Sequence, residues 1–286
     1  MNTDDALALA SPAAWTSLQV QRLMLAMDER LRNHLGIVPE RYSTARVLMG
    51  AQEERAFLPC EPHSGWPPRF GVELVSPPVQ ERVAQPGAIL LNRDEVEALD
   101  VRRSIELAMV LIHSIAPRIH ATVAALVRSI HPLSCPCPEV DVSYSLPELP
   151  HSVFVAVPCE GPKVPRHHVI ARLAEGLIHE SVHLQLSGIE HFFPLTRRGA
   201  QEEYAYSPWR REHRPITGVI HGLFVFNCLW VFWRYIADQP AHQVADFAAV
   251  RIGEIGRDFE QVEFIATDSL SAFGVQVLER NLGIWH

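Results

Sequence analysis

The chain has 286 residues, with 25 Lys and Arg against 33 Asp and Glu, a net charge of −8 with the histidines neutral. At 48% hydrophobic and 20% charged it carries enough apolar surface to bury a core, which excludes a disordered chain. The acidic balance and the lack of any Lys/Arg-rich run exclude sequence-independent nucleic-acid binding, which needs a basic footprint to displace phosphate counterions.

Prolines divide the chain, because a proline inside a helix removes a hydrogen bond and clashes with the preceding turn. The first proline-poor tract, Ala13 to Ile37, reads as a helix with Val20, Leu23, Met24, Met27 and Leu31 on one apolar stripe. Seven prolines between Pro59 and Pro86 then predict loops or short edge strands. The tract from Gly87 to His131 is broken once, at Pro117, and its dense apolar positions from Ile105 to Val127 predict a largely buried helical pair. Eight prolines between Pro132 and Pro165 again predict loops or edge strands. Within them His151 to Val157 is the clearest strand, with Val140 to Leu146 as its neighbour. Arg166 to Phe193 and Ile216 to Gln239 read as helices, the second starting naturally after Pro215. Ala241 to His286 reads as helix with a restart capped near Thr267-Asp268-Ser269.

The resulting expectation is a mainly α chain with a small β-sheet, an α+β fold. It comprises a helical region over 1–133 and a metal-binding catalytic region over 134–286, forming one continuous globular unit. The odd count of five cysteines argues against a disulfide framework, and the acidic start lacks a signal-peptide pattern, so the expected location is cytoplasmic. The apolar run Val219 to Trp233 is shorter than the roughly 20 residues a membrane span requires and contains His221 and Asn227. It reads as a buried central helix, with no membrane partner.

The sharpest chemical signal is His179-Glu180-Ser181-Val182-His183. On a helix the two histidines stand one turn apart on one face, where both imidazoles can reach a single ion. Arg172, Gly176 and Leu186 share that face, and Gly176 is expected to leave room beside the metal. The remaining positions are apolar nearly all round, which predicts a buried helix whose histidines need partners. Two histidines hold an ion weakly without a third donor. His221, on the following apolar helix, is favoured over Glu203, since Gly218 and Gly222 would let the two helices approach closely.

Two reaction classes fit such a site. In a zinc peptidase, Glu180 would serve as general base toward metal-bound water. In a non-haem Fe(II) oxygenase, three protein ligands leave room for a bidentate 2-oxo acid and dioxygen, and the distal carboxylate of that acid needs an arginine fork. Of Arg197, Arg198, Arg210, Arg211 and Arg214, the two bracketed by Pro208-Trp209 and Pro215, namely Arg210 and Arg214, are the candidates, while Arg197 and Arg198 read as solvated loop.

Tyr206-Ser207-Pro208-Trp209-Arg210, Arg214-Pro215 and Gly218-Val219-Ile220-His221-Gly222, following the His179 to His183 motif and preceded by Leu149-Pro150-His151-Ser152-Val153-Phe154-Val155, resemble the HExxH-type peptide β-hydroxylases dependent on iron and 2-oxoglutarate. The resemblance covers about Asp141 to Tyr235. It implies a zincin-like motif helix packed on a second buried helix, with Fe(II) held by His179, His183 and His221. It further implies 2-oxoglutarate on Arg210 or Arg214, and a ribosomally synthesised precursor peptide as substrate, hydroxylated at a β-carbon. The alternatives are a Zn(II) metallopeptidase and a non-catalytic peptide-binding protein.

Other features read as structural. Cys135-Pro136-Cys137 is expected to be a reduced loop pair, His167 and His168 to cap or flank the motif helix, and Phe224, Phe226, Trp230, Phe232 and Trp233 to fill the core. Trp209, in a loop beside charged residues, is a candidate lining of the substrate pocket.

Overall fold

The computed structural model describes residues 2–9, 17–35, 42–49, 56–60, 70–134, 142–158, 164–239, 241–262 and 265–283. Their order is α1 (Thr3–Leu9), α2 (Ser17–Leu35), α3 (Thr44–Met49), β1 (Ala56–Pro59), β2 (Gly71–Leu74), α4 (Pro77–Val83), α5 (Arg93–Ala98), α6 (Val101–Ile115), α7 (Pro117–Leu126), β3 (Ser129–Ser134), β4 (Ser143–Ser145), β5 (Ser152–Val157), α8 (Arg166–Glu190), β6 (Tyr204–Ser207), β7 (Glu212–Pro215), α9 (Ile216–Ala237), α10 (Ala245–Glu260) and α11 (Ala272–Leu282). The fold is α+β, as the proline and periodicity pattern requires. The chain forms two compact units, Met24–Leu184 and Met1–Leu23 with Gln185–His286, so the expected border at 133/134 falls inside β3.

In the unit Met24–Leu184, five strands run in the order β1-β2-β3-β5-β4. β2, β3 and β5 are parallel, while β1 and β4 close the two edges antiparallel. Every residue of β5 is buried, as expected of a strand covered on both faces. The expected neighbour of the His151–Val157 strand is present as β4 against β5, with Tyr144 opposite Phe154, while Val140 and Asp141 of that expectation lie outside the described residues. Phe154 in turn lies opposite His131 on β3, and the three rings stack across three strands with centroids 4.5 Å apart at each step.

Where the structure describes the proline-rich stretches, Pro77, Pro78 and Pro132 sit in regular elements rather than loops or edge strands. Pro77 and Pro78 open helix α4, where a missing N–H costs nothing because the first turn has no acceptor for it. Pro132 lies in β3, an interior strand. Its carbonyl accepts from Leu91 N–H, so its nitrogen also faces Leu91 and no ladder bond to β5 is lost. The predicted pair of buried helices is α6 and α7, divided at Pro117. On α2, Leu23, Met27 and Leu31 are buried, in keeping with the predicted stripe.

In the other unit, the hairpin β6–β7 precedes α9, and α10 and α11 follow it. α9 is 22 residues long and apolar enough to cross a membrane by length and composition, yet 67% of its most apolar window is buried within the protein. Phe224, Phe232 and Trp233 are fully buried there, while Phe226 and Trp230 are half-buried. The restart of the final tract occurs at Ser271, whose hydroxyl accepts from Gly274 N–H. Ser269, within the cap expected from sequence, instead donates its hydroxyl to Glu203.

Candidate metal and cofactor site

Helix α8 begins directly after Pro165, whose carbonyl accepts from His168 and Val169. Most of its residues are buried, but one stripe remains half-exposed: Arg172, Gly176, His179, His183, Ser187 and Glu190, spaced at three or four residues. His179 and His183 face each other across one turn with ring centroids 4.9 Å apart, as a four-residue interval on a helix requires.

Glu180, between them, is 1% exposed. Its Oε1 accepts from Ser143 Oγ on the edge strand at 2.6 Å and lies 3.7 Å from His179 Nε2. Gly176 does not leave space beside the histidines. A Cβ there would stand 2.7 Å from Val155 Cγ1, so this glycine lets α8 lie close against β5.

The third candidate donor, His221, is on α9 and half-exposed, with Nε2 2.7 Å from Glu190 Oε2. Glu190 was not singled out from sequence, although it lies seven residues past His183, two turns along the same stripe. Glu203 precedes β6, where its Oε2 accepts from Ser269 and its carbonyl from Ile216 N–H. The two small residues of α9 adjoin the hairpin. Gly222 faces the Trp209 ring, and a Cβ on Gly218 would stand 3.9 Å from the Arg214 guanidinium.

Hairpin geometry separates the two arginines. Ser207 carbonyl accepts from both Arg210 and Arg211 N–H, and Arg211 takes a left-handed φ of 56°, a four-residue loop built on a turn started by Pro208. Arg210 is exposed at its tip. Arg214 is half-buried on β7, 3.8 Å from Glu212, beside the Gly218 turn of α9 that leads to His221. Trp209 stacks on Phe226 at 5.0 Å and 5°, and meets Phe259 edge-on at 5.6 Å. Its ring is therefore a packing element of the hairpin on α9 and α10. Arg197 and Arg198 are exposed, as expected, with Arg197 donating to Asp268 carbonyl. Cys60 and Cys228 are free and buried, whereas Cys135, Cys137 and Cys159 lie outside the described residues.

The His179–His183 pair suits a transition-metal ion in donor chemistry, spacing and access. Among the described residues no group of three or more His, Cys, Asp or Glu is already gathered as a coordination set. No protein-family model matches the chain, and no curated protein shows significant similarity to it.

Proposed function

We propose that the chain is an Fe(II)/2-oxoglutarate-dependent oxygenase that hydroxylates the β-carbon of a residue in a ribosomally synthesised peptide in the cytoplasm. The observation that carries the reading is the imidazole pair on the half-exposed stripe of a buried helix. His179 and His183 would hold the iron, and the third donor that the sequence resemblance implies is His221. When bound, the metal supplies the oxidative chemistry that converts 2-oxoglutarate and dioxygen to succinate and carbon dioxide while one oxygen atom enters the peptide.

The protein's own residues define the rest. Glu190 orients the His221 ring through the bond to Nε2, as a carboxylate commonly fixes a ligating histidine. Arg214, beside the turn of α9 that precedes His221, binds the distal carboxylate of 2-oxoglutarate through its planar fork, and Arg210 at the loop tip is the lesser candidate. The burial of Glu180 and its bond to Ser143 favour a supporting role over that of a base meeting substrate water, which sets this reading above a Zn(II) peptidase. Anaerobic loading with Fe(II), metal analysis and succinate formation from 2-oxoglutarate test it. About one iron per chain with succinate production is expected, and absence of both leaves a non-catalytic peptide-binding protein.

A further inference from the structure

Outside the motif helix the described residues hold a second imidazole pair. Helices α6 and α7 meet at an elbow, Ala116–Pro117, where His113 from the last turn of α6 touches His120 from the first turn of α7. On an unbroken helix a seven-residue interval would leave the two about 10.5 Å apart along the axis. The proline break closes that gap. The ring centroids are 4.7 Å apart at 72°, close to the 4.9 Å of the motif pair.

Burial distinguishes the two rings. His120 is 4% exposed, yet its Nε2 has no hydrogen-bond partner among the described residues. A buried nitrogen in that state is costly unless water or an ion completes it. Burial, with His113 adding, lowers the pKa of His120 to about 4, so the ring is neutral at pH 7 and keeps a lone pair for a metal. His113 is exposed, so its ring can turn about its side-chain bonds and gives an ion a route from solvent.

We infer that His113 and His120 form a second metal site, which takes Zn(II) on the two imidazoles with water in the remaining positions and clamps α6 to α7. An imidazole centroid stands about 3.2 Å from an ion on its ring nitrogen, so centroids 4.7 Å apart correspond to a ligand angle of about 95°, which a small turn of His113 brings to tetrahedral. The ion lies at the carbonyl end of α6, whose partial negative charge favours a cation. No third His, Cys, Asp or Glu is gathered beside the pair among the described residues. Two neutral nitrogens suit zinc rather than magnesium or calcium. They hold Fe(II), lower in the Irving–Williams order, too weakly to fill at concentrations that load the motif pair. The site is independent of the oxygenase reading.

Zinc titration calorimetry on the full chain tests this. In His183→Ala, which breaks the motif pair, one zinc per chain should still bind. His113→Gln or His120→Gln added to that background should each lower the affinity at least about tenfold, and both together no further than either alone, because either loss already breaks the chelate. His167→Gln, the loss of a histidine elsewhere, should leave the affinity unchanged. Zinc should also raise the melting temperature of His183→Ala by mass action, and no longer do so once His113→Gln is added. No zinc retained by His183→Ala, unaltered affinity after His113→Gln, or additive losses in the double variant would each overturn the inference. If His120→Gln does not fold, the exposed His113 still decides through its own variant.

Discussion

The indole of Trp209 occupies the space that a side chain on Gly222 would need, with Cε3 and Cζ3 each 2.7 Å from the ideal Cβ position. Gly222→Ala must therefore push the ring off Phe226 or move the hairpin away from α9. The expected cost is about 1–3 kcal/mol, typical of an overpacked contact, read as a lower urea midpoint with an unchanged m-value. An unaffected midpoint would show that the hairpin yields freely.

The imidazole pair predicts a second result. His183→Ala should lower Fe(II) affinity by roughly a hundredfold, because one of the proposed donors and the paired imidazoles of the motif helix are lost. Adding Fe(II) should raise the melting temperature of the parent protein through mass action and leave that of the variant unchanged. Equal metal content in both proteins would exclude this helix as the metal site.

Glu180→Gln separates the two reaction classes. A peptidase deprived of its general base should lose nearly all turnover, whereas an oxygenase should keep measurable succinate formation, its loss limited to about 10- to 100-fold. The amide can still accept from Ser143, so folding should persist, and Ser143→Ala should produce a smaller effect in the same direction.

The hairpin makes Arg214 and Arg210 distinguishable. Arg214→Gln should raise the KM for 2-oxoglutarate at least about tenfold, the value of a lost charge-assisted pair, while Arg210→Gln at the exposed tip should leave it near the parent value. Equal effects would place the carboxylate elsewhere on the loop.

Acid should destabilise the unit that holds the sheet. Burial lowers the pKa of His131, which Glu73 opposes, and of His151, which the nearby Asp28 carboxylate opposes while Arg128 adds to the lowering. Burial and His113 lower His120 to about 4. These groups bind fewer protons folded than unfolded once the pH falls below their unfolded value of about 6.5, so stability rises with pH across that window and falls as pH drops through it. Asp28 acts lower on the scale. Burial would raise it, but His151 and Arg128 more than offset that, so its contribution disappears only below the ordinary carboxylate value. Urea midpoints should therefore decline between pH 7 and pH 5, and His120→Gln should flatten part of the slope.

Much of the fold was legible because local rules decided it. Pro117 and Pro215 set helix starts, the stripe on α2 followed from spacing, and the β-favouring run Val153–Val157 read as a strand. Local rules failed where tertiary neighbours supplied missing partners. Pro132 entered an interior strand because its N–H-less side met Leu91, and the expected cap residue Ser269 was drawn to Glu203.

Chain order alone determined that two imidazoles share one helical face with a carboxylate between them, since a four-residue interval on a helix admits no other arrangement. It also determined an acidic, mostly helical protein with a sheet ahead of the motif. Three-dimensional packing decided what those residues touch. It sent Glu180 to Ser143, paired His221 with Glu190, and assigned Gly176 and Gly222 to close contacts with Val155 and Trp209. The reason is that helical period fixes direction along one rod, whereas the partner met in that direction comes from segments remote in sequence, whose approach depends on the whole core.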